Sequence, residues 1–91
     1  MAMTQAIVDP EQVLRCAAQL EQSALNMRNQ QITAMGGFAG LSNVWRDQKY
    51  HTFEKTFSEM MHVLTQYLNE AQAEANYLRA KAAAARRYLE S

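Results

Sequence analysis

The chain carries no excess charge, because nine Lys and Arg residues offset nine Asp and Glu residues. A neutral chain lacks the electric field that attracts proteins to nucleic acid or to an anionic membrane surface. Long hydrophobic runs are missing too, since the longest span a few residues and a bilayer requires roughly 20. We therefore expect neither a nucleic-acid partner nor insertion into a membrane.

Cysteine, glycine and proline are scarce as well, with one Cys, three Gly and one Pro among 91 residues. Cys16 has no second cysteine to pair with, and its helical surroundings favour a small packing residue. The opening stretch MAMTQAIVDPEQ lacks the basic and then apolar segments of a signal peptide, so none is expected. The expected location is the cytoplasm, with secretion that needs no signal peptide as the alternative.

The residues that are abundant, alanine, glutamine, leucine, glutamate and methionine, favour helices. After a loose leader over residues 1–8, Asp9 and Pro10 have the form of a helix start, as N-cap and first helical residue. Apolar residues then recur at spacings of three and four, at Val13, Leu14, Ala17, Leu20, Ala24, Leu25, Ile32 and Met35. This pattern predicts a first helix over about 10–35, with Arg28 and Gln31 interrupting the apolar stripe.

A glycine-rich turn is predicted over residues 36–43. Gly36 or Gly37 would end the first helix in the left-handed conformation, and Ser42 or Asn43 would cap the second. The second helix is predicted over about 43–90, with Asp47 near its first turn, where a negative charge suits the helix dipole. Its apolar stripe comprises Tyr50, Phe53, Phe57, Met61, Leu64, Leu68, Ala71, Ala75, Leu78, Ala82, Ala85 and Leu89.

These elements predict an all-α protein, a two-helix antiparallel hairpin that forms one domain over residues 1–91. At 1.5 Å per residue, the second helix is longer than the first by about 25 Å, which leaves that length without an internal partner. A hairpin of this size also buries little surface. Both features predict that a second hairpin completes a four-helix bundle, or that more copies form a larger ring.

Catalytic and metal-binding patterns are weak. Glu59 and His62 form the Glu-x-x-His step of di-iron bundles, but they lie off the apolar stripe and lack the further ligands that such a site needs. No nucleophile has a neighbouring base, so we expect no enzyme activity, no cofactor and no metal. The basic residues Arg79, Lys81, Arg86 and Arg87 have two interpretations: cations placed at a helix C-terminus, or a docking surface for an acidic partner.

The turn also carries a recognisable arrangement. Trp45, Arg46 and Asp47 follow Leu41 and precede Phe53 and Phe57, within a two-helix frame of about 100 residues. From about Pro10 to Leu89 the chain resembles the WXG family, small helical hairpins of bacterial type VII secretion. Members have Trp-x-Gly at this turn, whereas here the third position is Asp47, a side chain able to cap a helix or form a bond there.

The resemblance implies an interaction protein that pairs with itself or with a similar hairpin. It implies an export substrate, or an adaptor for an FtsK/SpoIIIE-like ATPase or a larger effector. The family's C-terminal export signal, Tyr-x-x-x-(Asp/Glu), is absent, since Ala71 follows Tyr67 and Lys81 follows Tyr77 at that spacing, and Tyr88 has too few residues after it. A structural bundle protein that forms a ring or filament is the alternative. Trp45 has two interpretations, a core residue or a docking residue.

Overall fold

The computed structural model describes residues 8–90, so the predicted leader lies outside it except for Val8. Helix α1 spans Pro10–Ala39, a short 3-10 helix spans Leu41–Asn43, and helix α2 spans Gln48–Glu90. The two long helices form an antiparallel hairpin that is 68 Å long and 19 Å by 14 Å across. The predicted all-α helical hairpin is confirmed.

Helix α1 begins where the sequence predicts. One Asp9 carboxylate oxygen accepts hydrogen bonds from the backbone N–H of Glu11 at 3.0 Å and of Gln12 at 3.4 Å. Pro10, which has no N–H to leave unsatisfied, follows as the first helical residue. The Asp9 cap therefore satisfies two of the backbone donors that every helix start exposes.

Helix α1 ends later than predicted. It continues through Gly36 and Gly37 to Ala39, and Gly40 follows with φ −83°, in the right-handed region. The predicted end near residue 35 and the left-handed glycine are both wrong. The reason is tertiary: Phe38, beyond the two glycines, stacks on Phe57 of α2 with ring centroids 4.5 Å apart. This contact offsets the helix propensity that each glycine loses, about 1 kcal/mol.

Helix α2 begins later than predicted, at Gln48 rather than at residue 43. Ser42 and Asn43 belong to the 3-10 helix and do not cap α2. The cap is Asp47, whose side-chain oxygen accepts a hydrogen bond from the Tyr50 N–H at 3.0 Å. Its backbone carbonyl accepts from the N–H groups of Tyr50 and His51.

The seam between the helices is lined mainly by alanine. Its buried apolar residues are Ala17 of α1 and Tyr50, Leu68, Ala71, Ala75 and Ala82 of α2. The predicted stripe of α2 lies along this seam, where Phe57, Met61, Leu64, Leu78 and Ala85 are half-buried. Two of its members are exposed instead, Phe53 at 39% and Leu89 at 57%. Among the described residues, Leu68 is the largest side chain that is fully enclosed.

The inward face of α1 differs from the predicted stripe in the second half of the helix. Gln31 is only 8% exposed, whereas Ile32 is 61% exposed and Met35 is 49% exposed. The Gln31 amide Nε2 donates to the backbone carbonyl of Met61 at 3.2 Å and to the Thr65 hydroxyl at 2.9 Å. A buried amide with two acceptors is satisfied, so a polar residue occupies the seam while Ile32 lies outside it.

The register of the hairpin places the surplus length of α2 mainly at the turn. Glu11 pairs with Arg86 and Glu21 with Arg79, so the start of α1 lies beside the end of α2. At the other end, α1 stops at Ala39, and the Phe38 ring contacts Tyr50 and Phe53 as well as Phe57. The connection over residues 40–47 packs there. The predicted length without an internal partner is therefore largely covered.

We predict that Gln31→Ala lowers the free energy of unfolding by about 1–3 kcal/mol, because its two hydrogen bonds are lost inside the seam. Gln30→Ala is the matched control, since Gln30 is exposed on the same helix and should change stability by less than about 0.5 kcal/mol. Urea denaturation followed by circular dichroism measures both. Equal stability of the two variants would contradict the role of Gln31.

Candidate functional site

The turn motif is joined by one carboxylate. The Trp45 indole Nε1 donates to the Asp47 side-chain oxygen at 2.7 Å, and the same oxygen accepts from the Tyr50 N–H. The same Asp47 oxygen therefore both binds the indole and caps the N-terminus of α2. Arg46 points elsewhere, and its Nε donates to the Ser42 carbonyl at 3.2 Å. The aspartate supplies a side-chain hydrogen bond to the indole that a glycine at this position could not form.

Around this carboxylate, five aromatic residues form a cluster at the closed end of the hairpin. Its ring contacts join Phe38, Trp45, Tyr50, Phe53 and Phe57, with centroids 4.5 to 6.0 Å apart. Trp45 is half-buried and contacts Tyr50 edge-on at 5.6 Å and Phe53 at 5.8 Å. Trp45 thus has partners within its own chain, on the part of α2 that Phe38 also contacts.

Tyr50 is the buried member of this cluster, at 6% exposure. Burial raises the pKa of its phenol, and the negative charge of nearby Glu54 adds to that increase. Burial disfavours the charged phenolate, and the neutral phenol of Tyr50 packs against the rings of Phe38 and Trp45.

A shallow groove of about 580 Å³ lies on the surface of α2, away from the turn. Its exposed apolar members are Met60, Val63 and Tyr67, and Met61 and Leu64 form its floor. We call Met60, Val63 and Tyr67 the α2 groove. Sequence reasoning missed this surface, although 60, 63 and 67 follow the three-and-four spacing of a second, shorter stripe.

A second apolar surface lies on α1. Leu25, Ile32 and Met35 are each about half exposed or more, and we call them the α1 patch. The sequence prediction placed these residues in the core. The hairpin thus leaves two sets of large apolar side chains outside a seam lined by alanine.

Of the four basic residues Arg79, Lys81, Arg86 and Arg87, two are paired with α1 and two are not. Arg79 is paired with Glu21, and Arg86 is paired with Glu11. Lys81 and Arg87 are exposed and make no ion pair with any residue in the range 8–90. Two of the four predicted docking residues therefore bind α1 of their own chain.

Glu59 and His62 are both exposed on α2. Across residues 8–90, no group of three or more His, Cys, Asp or Glu side chains is placed to hold a metal ion. Neither α1 nor α2 combines the length with the apolar character that a membrane-crossing helix requires. Comparison with protein-family models, with curated proteins and with solved structures finds no match to this chain.

We predict that Asp47→Ala lowers the free energy of unfolding by about 1–2 kcal/mol, because both the helix cap and the indole hydrogen bond are lost. Asp47→Asn is the control, since its amide oxygen can still accept both bonds. Asp47→Gly should lie between them, because glycine caps a helix almost as well but cannot bond the indole. Trp45 is the only tryptophan, so its fluorescence reports the unfolding of all three variants. An alanine variant as stable as the asparagine variant would contradict the assignment.

We predict that the Glu21–Arg79 pair makes stability depend on acid pH. Hydrogen bonds from Arg79 and Gln72 lower the pKa of Glu21 below its usual 4.5. A group with a lowered pKa in the folded state stabilises the protein above its unfolded pKa, and this contribution disappears as pH falls through the folded pKa. Glu21→Gln should therefore flatten the fall in melting temperature below pH 4.5. Glu74→Gln, on an exposed glutamate that forms no ion pair with residues 8–90, is the control, and an identical fall in both variants would contradict the prediction.

Proposed function

We propose that this chain is a non-enzymatic helical hairpin that acts by protein–protein interaction, as a substrate or adaptor of a type VII-like secretion system. Its partner would be a second copy or a similar hairpin. The observation that carries the proposal is the contrast between a seam of alanine and the large apolar side chains left outside it. Val63 is 62% exposed and Ile32 is 61% exposed, while Ala17 and Ala75 are fully buried.

The energetic argument favours a partner on these surfaces. Small domains bury a small fraction of their surface and are marginally stable alone. Burying a Val, Leu, Ile or Met side chain from full exposure contributes about 1.5–3 kcal/mol. The α2 groove and the α1 patch together offer six large apolar side chains, with one tyrosine among them, and each is 49% to 62% exposed. A partner that covers them would therefore gain roughly half of that value from each.

The secretion role is supported by the turn. Trp45 follows the first helix and packs at the start of the second, and Asp47 performs locally what a turn motif must do, which is to begin α2. The spacing Tyr-x-x-x-(Asp/Glu) is not met at Tyr67 or Tyr77 of α2, which favours two forms of the role. The hairpin would leave the cell with a partner that carries the signal, or it would stay inside as an adaptor for an FtsK/SpoIIIE-like ATPase or a larger effector.

The alternative is a structural bundle protein that assembles into a ring or filament and has no part in export. The presence of exposed apolar residues on both helices favours it, because a chain with two contact surfaces can bind two neighbours. An export measurement distinguishes the structural role from the secretion role, whereas a self-assembly measurement does not, because both roles allow self-assembly.

The test follows a tagged copy in the source organism, with and without the gene for an FtsK/SpoIIIE-like ATPase. We expect the tag in the medium only when the ATPase is present, or, for an adaptor, cross-linked to that ATPase inside the cell. Val63→Glu should lose the signal, because a charge is placed in the apolar groove. Asn69→Glu, at an exposed position outside the groove, should keep it. If the wild-type protein is neither exported nor cross-linked to the ATPase, the secretion role is overturned.

A further inference from the structure

The α2 groove and the α1 patch lie on opposite faces of the hairpin. Glu21 and Gln72 mark one face, because Gln72 donates a hydrogen bond to Glu21 at 2.9 Å across the edge of the seam. Ile32 follows Glu21 by eleven residues, about three full turns, so Ile32 lies on that face. Val63 precedes Gln72 by nine residues, about two and a half turns, so Val63 points to the other face.

Both surfaces lie at the same level along the hairpin. Gln31 is bonded to Met61 and Thr65, which sets this part of α1 beside residues 61–65 of α2. Ile32 is therefore level with Val63, although the two side chains point away from each other. Each chain therefore has two apolar surfaces at mid-length, one on each of two opposite faces.

The two surfaces differ in charge. Residues 56–78 contain Glu59, Glu70 and Glu74 and no Lys or Arg, so the α2 groove has an acidic border. Residues 22–46 contain no Asp or Glu, and Arg28 lies between Leu25 and Ile32 on α1. Neither Arg28 nor Glu59 forms an ion pair with any other described residue. The α1 patch is thus basic, and both charges are available to a neighbour.

This difference decides how two copies fit. A groove placed on a second groove would bring acidic borders together, and a patch placed on a second patch would bring Arg28 against Arg28. A patch placed in a groove brings Arg28 toward Glu59, where opposite charges attract. Contact between unlike surfaces is the arrangement that satisfies both the apolar burial and the charges.

We propose that the α1 patch of one copy docks in the α2 groove of a second copy, with Arg28 facing Glu59. The inference rests on the proposed function, because it names the partner and the contact of that same interaction surface. The contact is heterologous, so each added copy leaves one groove and one patch open. The chain therefore forms a ring or a filament of more than two copies, and not a closed dimer.

The first test measures mass in solution by light scattering after size-exclusion chromatography. Wild-type protein should exceed the mass of two chains and grow with concentration. Ile32→Glu and Val63→Glu should each reduce it to a single chain of 10.4 kDa, because each blocks one of the two surfaces. The controls Gln30→Glu and Asn69→Glu, at exposed positions off both surfaces, should behave as wild type.

A mixture of the two blocked variants gives the sharpest result. The intact patch of the Val63→Glu chain can occupy the intact groove of the Ile32→Glu chain, and the remaining surfaces are blocked. We expect a species of two chains and no larger one. A groove-to-groove dimer predicts otherwise, since Ile32→Glu alone would then keep the wild-type mass.

Cross-linking keeps the test independent of whether the blocked variants fold. In a Cys16→Ser background, Arg28→Cys and Glu59→Cys chains are treated with a short bifunctional maleimide. Cross-linked pairs should form in the mixture and not in either chain alone. A monomeric wild type, a discrete wild-type dimer, or cross-linking of Glu59→Cys with itself would overturn the inference. A monomeric wild type that is still exported would leave the secretion role standing.

Discussion

The alanine seam between α1 and α2 constrains the rest of this molecule. Ala17, Ala71, Ala75 and Ala82 let the two helices approach closely, but they provide no large side chains to interlock along the contact. Alignment must then come from elsewhere, and polar contacts supply it. Gln31 reaches into the seam to bond Met61 and Thr65, and Glu11 and Glu21 bind arginines along its edge.

The same constraint determines what the surface looks like. The seam buries four alanines with Leu68 and Tyr50, whereas Ile32 and Val63 lie outside it on opposite faces. In most small proteins, large apolar side chains of this kind lie in the core. Under the proposed function, another chain would cover them. The alanine that brings the two helices together thus also leaves the surfaces by which the hairpin is proposed to act.

At the closed end a different kind of packing applies. Phe38, near the end of α1, contacts Tyr50 and Phe53, and the connection over residues 40–47 packs on the same part of α2. Trp45 and Phe53 stack there, and the Asp47 carboxylate ties the indole to the first turn of α2. The conspicuous tryptophan of this sequence therefore joins Phe38 in covering the start of the long helix. The contacts of Trp45 lie within its own chain. Its neighbour Val44, in the connection between the helices, is 81% exposed.

The sequence by itself determined the two helices, their antiparallel pairing and most of the inward face of α2, because apolar periodicity and the Asp9-Pro10 start are local signals. It did not determine where α1 ends, since the stacking of Phe38 on Phe57 outweighs the cost of two glycines. Nor did it reveal that Gln31 points inward and Ile32 outward, because hydropathy favours the reverse assignment. Only the tertiary structure decided that, since a buried amide is acceptable where Met61 and Thr65 offer acceptors. The opposite placement of the α1 patch and the α2 groove was likewise a tertiary result, because it depends on how the two helices are aligned, which contacts between distant positions such as Gln31 and Thr65 set.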